Sequence, residues 1–284
     1  MAGSEERSAE PGASPLERVR QAIQHSQYRD AITVTAKLPP RELHDDQAQP
    51  LIDCLLVAAA GLQDDSEDEV TAYNLVVGIG DALAGPESEV GSVQTKVENA
   101  LFNKAVVLGH QGRNEEAIAV YDDVIHRSSS SAEPRPKEHA ARALFNKGAR
   151  LAGLDRPAQA LAAYDELIER FVQSTESKVM QAVAKGMVNR GIALARLARF
   201  EEAITAFDDV LILWGSSPEP FFRERAALAL LNKATALLKI NRPDSALGAY
   251  QELIGRYCDD ARESMKKQVA LAEVLTASVQ SGVS

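Results

Sequence analysis

Cysteine is scarce in this sequence, and neither cysteine has a neighbour that would give it a special role. Cys54 and Cys258 each lie in an apolar or amphipathic stretch without another Cys or a His close by. A disulfide framework and a zinc site therefore both lack the closely spaced ligands that they require. This pattern predicts a reducing compartment, and we expect a cytoplasmic location.

Long apolar runs are also absent, and the net charge is negative. The longest apolar stretch, Leu51 to Leu62, contains Asp53 and is far shorter than the roughly 20 residues that span a bilayer. We therefore expect no membrane partner. The formal net charge of -10 predicts no nucleic-acid partner, because nucleic-acid-binding domains carry a basic patch. Residues 1–14, rich in Ala, Gly, Ser and Pro, predict a flexible amino-terminal arm rather than a signal peptide.

The residue groups that support catalysis are missing too. The five histidines are scattered along the chain, and there is no glycine-rich loop of the phosphate-binding or dinucleotide-binding type. No nucleophile stands beside a base, and no set of carboxylates has the spacing of a metal site. The sequence therefore predicts a protein that is not an enzyme, with no catalytic residues, no metal and no cofactor.

What the sequence does contain is a repeat with a period of 43 residues. Four segments share a pattern in which Asn follows three positions after a small residue, and they begin at Ala100, Ala143, Gly186 and Ala229. Each is followed in the same register by an alanine: Ala117, Ala160, Ala203 and Ala246. An aromatic residue comes four positions later: Tyr121, Tyr164, Phe207 and Tyr250. Tyr28 to Ile32 matches Phe200 to Ile204, four periods further on, which predicts two degenerate leading repeats.

Each unit has the apolar spacing of two helices. Leu101, Ala105 and Leu108 are separated by four and then three residues, as on one side of a helix. The same spacing returns after a short polar turn. Pro157 and Pro243 lie where a second helix should begin, a position at which a missing N–H costs nothing. The predicted fold class is therefore all-α, built from pairs of helices.

This arrangement resembles the tetratricopeptide repeat family. The family pattern combines the alanine and the aromatic residue of the second helix, which we expect in the core, with a small residue in the first helix. These small residues are Ala105, Gly148, Gly191 and Ala234. The period exceeds the usual 34 residues and no tryptophan opens the first helix, so HEAT repeats are our second choice. The resemblance implies a right-handed superhelical solenoid of helix-turn-helix repeats.

The repeat register divides the chain into regions. After the arm at 1–14, we expect two degenerate helical hairpins at 15–99, four regular repeats at 100–271, and the end of a capping helix with a tail at 272–284. The regular repeats are predicted at 100–142, 143–185, 186–228 and 229–271. The last helix matches the first-helix pattern poorly, and we expect it to cap the sixth repeat.

One asparagine stands in the middle of each predicted first helix. The four are Asn103, Asn146, Asn189 and Asn232. Asparagine costs a helix about 0.6 kcal/mol relative to alanine, so the recurrence calls for a shared cause. In the family that the chain resembles, first helices line a concave groove, which implies a ladder of amides binding the backbone of an extended peptide. The alternative is that each amide bonds a neighbouring helix and fixes the stacking of repeats.

Cations accompany these asparagines. Arg142 and Lys185 precede two of them by about one helical turn, and Arg196 and Lys239 follow two of them by about two turns. The pairing resembles the carboxylate clamp of chaperone-binding tetratricopeptide domains, although the positions that match Arg142 and Lys185 in the other repeats carry no charge. We therefore expect the groove to bind an extended and acidic peptide.

Two further sets of cations recur with the repeat. The first set lies on the first helices and consists of Lys104, Lys147, Arg190 and Lys233. We expect these cations to pair with Asp122, Asp165 or Asp208 of adjoining helices. The second set lies in the turn after each first helix, where a cation complements the negative helix end. Its members are Arg113, Arg156, Arg199 and Arg242.

The predicted function is a non-catalytic scaffold for protein–protein interaction, with a protein or peptide as the partner. One alternative is a structural or oligomerising array of helices, which would associate with another copy. Four apolar residues would then be exposed in a lone monomer: Leu51, Leu55, Leu56 and Val57. A second alternative is the sensor or recruitment subunit of a larger regulatory complex.

Overall fold

The computed structural model describes residues 13–62, 64–83, 90–128 and 134–281. Every regular element in these ranges is helical: thirteen α-helices and one short 3-10 helix. The all-α fold class predicted from the sequence is therefore confirmed. Residues 1–12 of the predicted arm and residues 282–284 of the predicted tail lie outside the described residues.

The chain divides into two compact units, of which the first is Met1–His139. Its helices are α1 (Pro15–Gln24), α2 (Tyr28–Thr35), α3 (Asp45–Leu62), α4 (Glu67–Leu83), α5 (Val90–His110) and α6 (Asn114–Ser128), with a 3-10 helix at Pro40–Glu42. Each α-helix packs against the next one, and α3 also packs against α1 and α5. The first unit is thus a stack of three hairpins joined through their first helices.

The second unit is Ala140–Ser284, and α7 (Pro134–Gly153) crosses the limit between the units. The helices that follow are α8 (Pro157–Phe171), α9 (Ser177–Arg196), α10 (Phe200–Trp214), α11 (Pro220–Lys239), α12 (Pro243–Tyr257) and α13 (Glu263–Gln280). From α8 onward each helix packs against the next, and the first helices α9, α11 and α13 also contact one another in order. This is the adjacent-helix packing of a tetratricopeptide-like solenoid.

The period of 43 residues is visible in the helix limits. First helices begin at Pro134, Ser177, Pro220 and Glu263, and second helices begin at Asn114, Pro157, Phe200 and Pro243. One period holds a 20-residue first helix, a turn such as 197–199, a 15-residue second helix, and a loop such as 215–219. The prediction that Pro157 and Pro243 open second helices is confirmed.

The hairpins of the structure begin at other residues than the predicted repeats, although the period is the same. The limits at 100, 143, 186 and 229 fall inside α5, α7, α9 and α11, because the asparagine motif lies in the later part of each first helix. A period sets the spacing between repeats but not the residue at which one begins. For the same reason the predicted cap, α13, starts one period after α11 and packs as a first helix, burying Met265 and Ala272 against α11 and α12.

Two glycines among the small residues of the pattern allow the two helices of a hairpin to approach closely. A Cβ atom on Gly191 would lie 2.4 Å from Cε1 of Phe207, and one on Gly148 would lie 2.5 Å from Cε1 of Tyr164. Phe207 and Tyr164 are buried, as are the other two aromatic residues of the register, Tyr121 and Tyr250. The expectation that these rings belong to the core is confirmed.

The turn inside each hairpin repeats one backbone motif. Its second residue has a positive φ in four successive hairpins: Gly112 at 78°, Asp155 at 58°, Ala198 at 56° and Asn241 at 57°. The next residue is the recurrent arginine, whose backbone N–H donates to the carbonyl five residues earlier, as in the 2.9 Å bond from Arg199 to Leu194. This left-handed ending satisfies the last carbonyls of the first helix.

Two of these turn arginines bind, through their side chains, an acid at the start of the next helix rather than the helix end that we expected. The guanidinium of Arg199 binds both carboxylate oxygens of Glu202 at 2.7 and 2.6 Å, and that of Arg113 binds Glu116 at 2.7 and 2.6 Å. Because the backbone amide already bonds the free carbonyl, the side chain is left to bind the acid in the first turn of the next helix. In these two hairpins the arginine side chain therefore holds the turn to the start of the second helix.

The apolar stretch in α3 is not exposed in the way that an oligomerising array requires. Leu51 and Leu55 are 1% and 0% exposed, and Leu56 is half-buried, because α1, α4 and α5 pack around α3. Only Val57, at 49%, is largely accessible among the four residues of that expectation. The expectation is wrong for Leu51 and Leu55.

Candidate peptide-binding face

Lys185 lies between two phenyl rings on the first helices of the second unit. Its Nζ is 5.5 Å from the ring centroid of Phe145 on α7 and 5.6 Å from that of Phe221 on α11. The guanidinium carbon of Arg225, also on α11, is 5.4 Å from the centroid of Phe221. Because the face of an aromatic ring attracts cations, the two rings hold both charges in place.

Lys185, Arg225 and Arg142 form what we call the basic cluster. Burial lowers the pKa of Lys185, and the like charges of Arg225 and Arg142 lower it further. Within the described ranges no carboxylate forms an ion pair with Lys185. Arg225 forms an ion pair with Glu224 at 3.7 Å, and the Glu224 carboxylate also binds Arg262 at 3.1 Å. The cluster therefore concentrates positive charge on a protein of negative net charge.

The structure brings two of the predicted cations together and keeps the other two apart. Arg142 and Lys185 act on each other electrostatically, as members of the basic cluster. Arg196 instead donates to the carbonyl oxygen of Ala152 at 2.7 Å and to Asp155 at 2.6 Å, which ties the end of α9 to the preceding turn. Lys239 is exposed at the end of α11, 14 residues beyond Arg225 and thus about 21 Å away along the helix.

The asparagines make contacts that depend on the preceding aromatic residue. Asn189 Nδ2 donates to the hydroxyl of Tyr164 on the previous second helix at 3.2 Å. Asn103 bonds the hydroxyl of Tyr73 on α4 in the first unit. The residue that corresponds to Tyr164 for Asn232 is Phe207, which has no hydroxyl, and Asn232 Nδ2 donates to the carbonyl oxygen of Leu228 on its own helix at 2.8 Å.

These contacts support the stacking role for Asn103 and Asn189 and leave part of each side chain accessible. Asn103 is exposed, and Asn146, Asn189 and Asn232 are half-buried. The Oδ1 atom of Asn189 accepts no hydrogen bond from the part of the chain that the structure describes. One amide can both donate and accept, so helix stacking and ligand binding are compatible at this position.

Two of the four cations next to the asparagines pair as expected. Arg190 Nε donates to Asp165, and Lys233 Nζ donates to Asp208, each at 2.5 Å and each across 25 residues of chain. Both ion pairs join a second helix to the following first helix. Exposed pairs of this kind contribute only about 0–1 kcal/mol, but they neutralise Arg190 and Lys233. Lys185, on the same helix as Arg190, has no such pair among the described residues.

Three members of this arrangement are absent from the sequence-based site: Arg225, Phe145 and Phe221. Arg225 and Phe221 escape a search by repeat register because they do not lie at whole periods from Lys185 or Phe145. A different sequence signal could have found them, namely a cation three or four residues from an aromatic residue. Phe221 and Arg225 are four residues apart, and Arg142 and Phe145 are three residues apart. Such spacings place a cation and a ring on one side of a helix.

Two further observations concern the kind of site that is present. Among the residues that the structure describes, no group of three or more His, Cys, Asp or Glu side chains is placed to hold a metal ion. No helix within those residues is both long and apolar enough to cross a membrane.

The chain matches known sequence families over much of its length. One tetratricopeptide repeat profile matches residues 145–218 and 188–261, and another matches residues 99–131, which together cover just over half of the chain. The protein therefore belongs to the tetratricopeptide repeat family, as its residue pattern predicts. Repeats of this family mediate protein–protein interactions and typically form non-enzymatic scaffolds.

Among solved structures, the chain is similar to the tetratricopeptide repeat domain of P58(IPK), known from a crystal structure at 2.5 Å. The two are 14% identical, with a TM-score of 0.33, over 94% of this chain and 66% of that domain. The chain thus spans just under two thirds of that domain's length. None of the curated proteins matches the sequence.

Proposed function

We propose that this protein binds an extended, acidic segment of a partner protein and has no catalytic role. The binding surface is the side of α7, α9 and α11 that carries the basic cluster, which we call the first-helix face. The observation that supports this most directly is Lys185, held between two rings and surrounded by like charge. Such an arrangement costs the free protein stability, and an incoming carboxylate compensates for that cost.

The residues of the first-helix face have separate tasks in this proposal. Arg225 offers a planar fork of N–H donors that suits a carboxylate, while Lys185 contributes a point charge. Asn189 Oδ1 accepts from a main-chain N–H of the segment while Nδ2 stays on Tyr164. Because the protein as a whole is negative, the cluster also guides an acidic segment to this face and away from the rest of the surface.

The test is the affinity of a defined acidic peptide. The probe is a fluorescein-labelled glycine-serine peptide that carries two adjacent aspartates, and binding is measured by fluorescence anisotropy at low salt. We expect Lys185→Gln and Arg225→Gln each to weaken binding roughly ten- to hundredfold, since a hydrogen bond to a charged group contributes about 1.5–3 kcal/mol. Added salt should weaken binding to the parent protein.

The matched control is Lys266→Gln, which removes the same charge from an exposed position on α13. We expect this variant to bind the probe like the parent protein. A peptide with lysines in place of the aspartates should not bind. Equal affinity of the parent, Lys185→Gln and Arg225→Gln proteins for the acidic probe would contradict the proposal.

One observation favours the oligomerising alternative as a second candidate function, with another copy of this chain as the partner. Leu271 and Val274 on α13 are 49% and 66% exposed, whereas Leu231 and Val188, in the register of Val274, are buried by helices of this same chain. A helix of the same kind therefore fits the exposed side of α13. Light scattering across a concentration series tests this. A dimer of the parent protein that is lost in Val274→Lys would support the alternative, and a parent protein that stays monomeric throughout would reject it.

A further inference from the structure

A cavity of about 190 Å³ opens between α7 and α9, on the first-helix face. Most of its wall is apolar, and it comprises Ala149, Ala152, Pro157, Ile192 and Ala193. Asn189 and Arg196 supply polar groups at its sides, and Tyr164 also lines it. A mainly apolar cavity with a few polar groups is the usual form of a site for a ligand group.

One residue of the cavity wall is smaller than its counterpart in the next repeat. Ala149 lies one period before Ile192, so the larger residue fills the corresponding position on α9 where α7 has only a methyl group. The polar groups are already fixed, since Arg196 is tied to Ala152 and Asp155, and Asn189 to Tyr164. A site whose walls are held before binding loses less entropy when a ligand enters.

The size of the cavity indicates what it admits. An apolar cavity of about 150 Å³ in another protein binds benzene, so about 190 Å³ holds one aliphatic or phenyl side chain. Ile192 and Lys185 are seven residues apart, which places them on the same side of α9. Their separation along the axis is about 10 Å, and an extended chain covers that distance in about three residues.

We propose that this cavity receives an apolar side chain of the bound segment, about three residues from the acidic residue that meets the basic cluster. The inference rests on the proposed function and adds a selectivity to it. The first-helix face then selects a segment by two features, a negative charge and an apolar residue at a set distance. A segment with only one of the two binds more weakly.

The experiment compares a set of labelled peptides. All carry the aspartate pair, and a single leucine is placed from one to six residues away on either side, with glycine at that place in the reference peptide. We expect the parent protein to bind one peptide with leucine at about three residues roughly tenfold more tightly than the reference, an effect that corresponds to about 1.4 kcal/mol.

Two variants separate the cavity from the basic cluster. Ala149→Leu fills the cavity from an exposed position, and it should remove the preference for leucine while leaving the affinity for the reference peptide unchanged. Ala162→Leu makes the same change on the exposed side of α8 and should keep the preference. Lys185→Gln should weaken binding of both peptides equally.

The possible failures differ in meaning. If the reference peptide binds and leucine adds nothing at any position, the inference about the cavity is wrong and the proposed function stands. If Ala149→Leu retains the preference for leucine, the apolar side chain binds elsewhere. If the parent protein binds no peptide of the set, the proposed function and the inference both fail.

Discussion

Replacing Gly191 by alanine tests the close approach of α9 and α10. The new Cβ would lie 2.4, 2.7 and 2.8 Å from three ring atoms of Phe207, a side chain with no exposed surface and therefore no room to withdraw. Overpacking of this kind costs about 1–3 kcal/mol. Exchanging glycine for alanine within a helix returns about 1 kcal/mol. We expect a net decrease of up to about 2 kcal/mol in the free energy of unfolding.

Gly248 provides the matched control for this change. It lies in the middle of α12, is exposed, and a Cβ built on it meets nothing within 4 Å. Gly248→Ala should therefore raise the free energy of unfolding by up to about 1 kcal/mol. Both positions belong to the second unit, so one urea denaturation followed by circular dichroism reports both, and the two midpoints should move in opposite directions.

A gain in stability from Gly191→Ala equal to that from Gly248→Ala would refute the packing argument. Ala105 and Ala234 occupy the register of Gly191 in two other hairpins, each with a tyrosine in the register of Phe207. The alternative to the packing argument is therefore that the hairpin of α9 and α10 widens to admit the methyl group that Gly191→Ala adds without loss of stability. The comparison measures that cost directly.

Three further substitutions test the turns, the last loop and the asparagine contact. Ala198→Gly should raise the thermal midpoint, because alanine at a φ of 56° bears roughly 1–2 kcal/mol that glycine avoids, and an unchanged or lower midpoint would contradict this. Arg262 lowers the pKa of Asp260 to about 2, so this contribution to stability is complete above about pH 4 and is lost as the pH falls to about 2. The thermal midpoint of Asp260→Asn should therefore decrease less than that of the parent protein between about pH 4 and about pH 2. Equal decreases in the two proteins would contradict a stabilising Asp260–Arg262 pair. Tyr164→Phe should cost about 1 kcal/mol in the parent but less in an Asn189→Ala background, and strictly additive losses would show that the two side chains are not coupled.

The fold was largely predictable from the sequence because the residues that define the repeat period make packing contacts and cannot vary freely. The small residue at 191 and the ring at 207 must meet within a hairpin, so their separation recurs in every repeat. The point at which each hairpin starts was not predictable in this way. The earlier half of α11, from Pro220 to Leu228, shares little sequence with the corresponding residues 177–185 of α9, so the repeat pattern does not extend back to the start of the helix.

The candidate site was predictable only in part, for a related reason. Lys185 and Arg142 share a register, and comparison of repeats finds them. Arg225 and Phe221 meet Lys185 from another helix at a different height, so no period links them to it. Contacts between helices follow from how the helices cross, and a one-dimensional pattern does not contain the crossing angle.

Contacts that join successive hairpins of the second unit recur at one chain separation, and this has a consequence for how such a protein changes length. Tyr164 and Asp165 contact Asn189 and Arg190, each across 25 residues. Deleting residues 177–219, one whole period, would place Asn232 and Lys233 at that same separation from Tyr164 and Asp165. Loss or duplication of one period in the gene would thus rejoin matching surfaces, and the array can evolve by whole hairpins without the redesign of any joint.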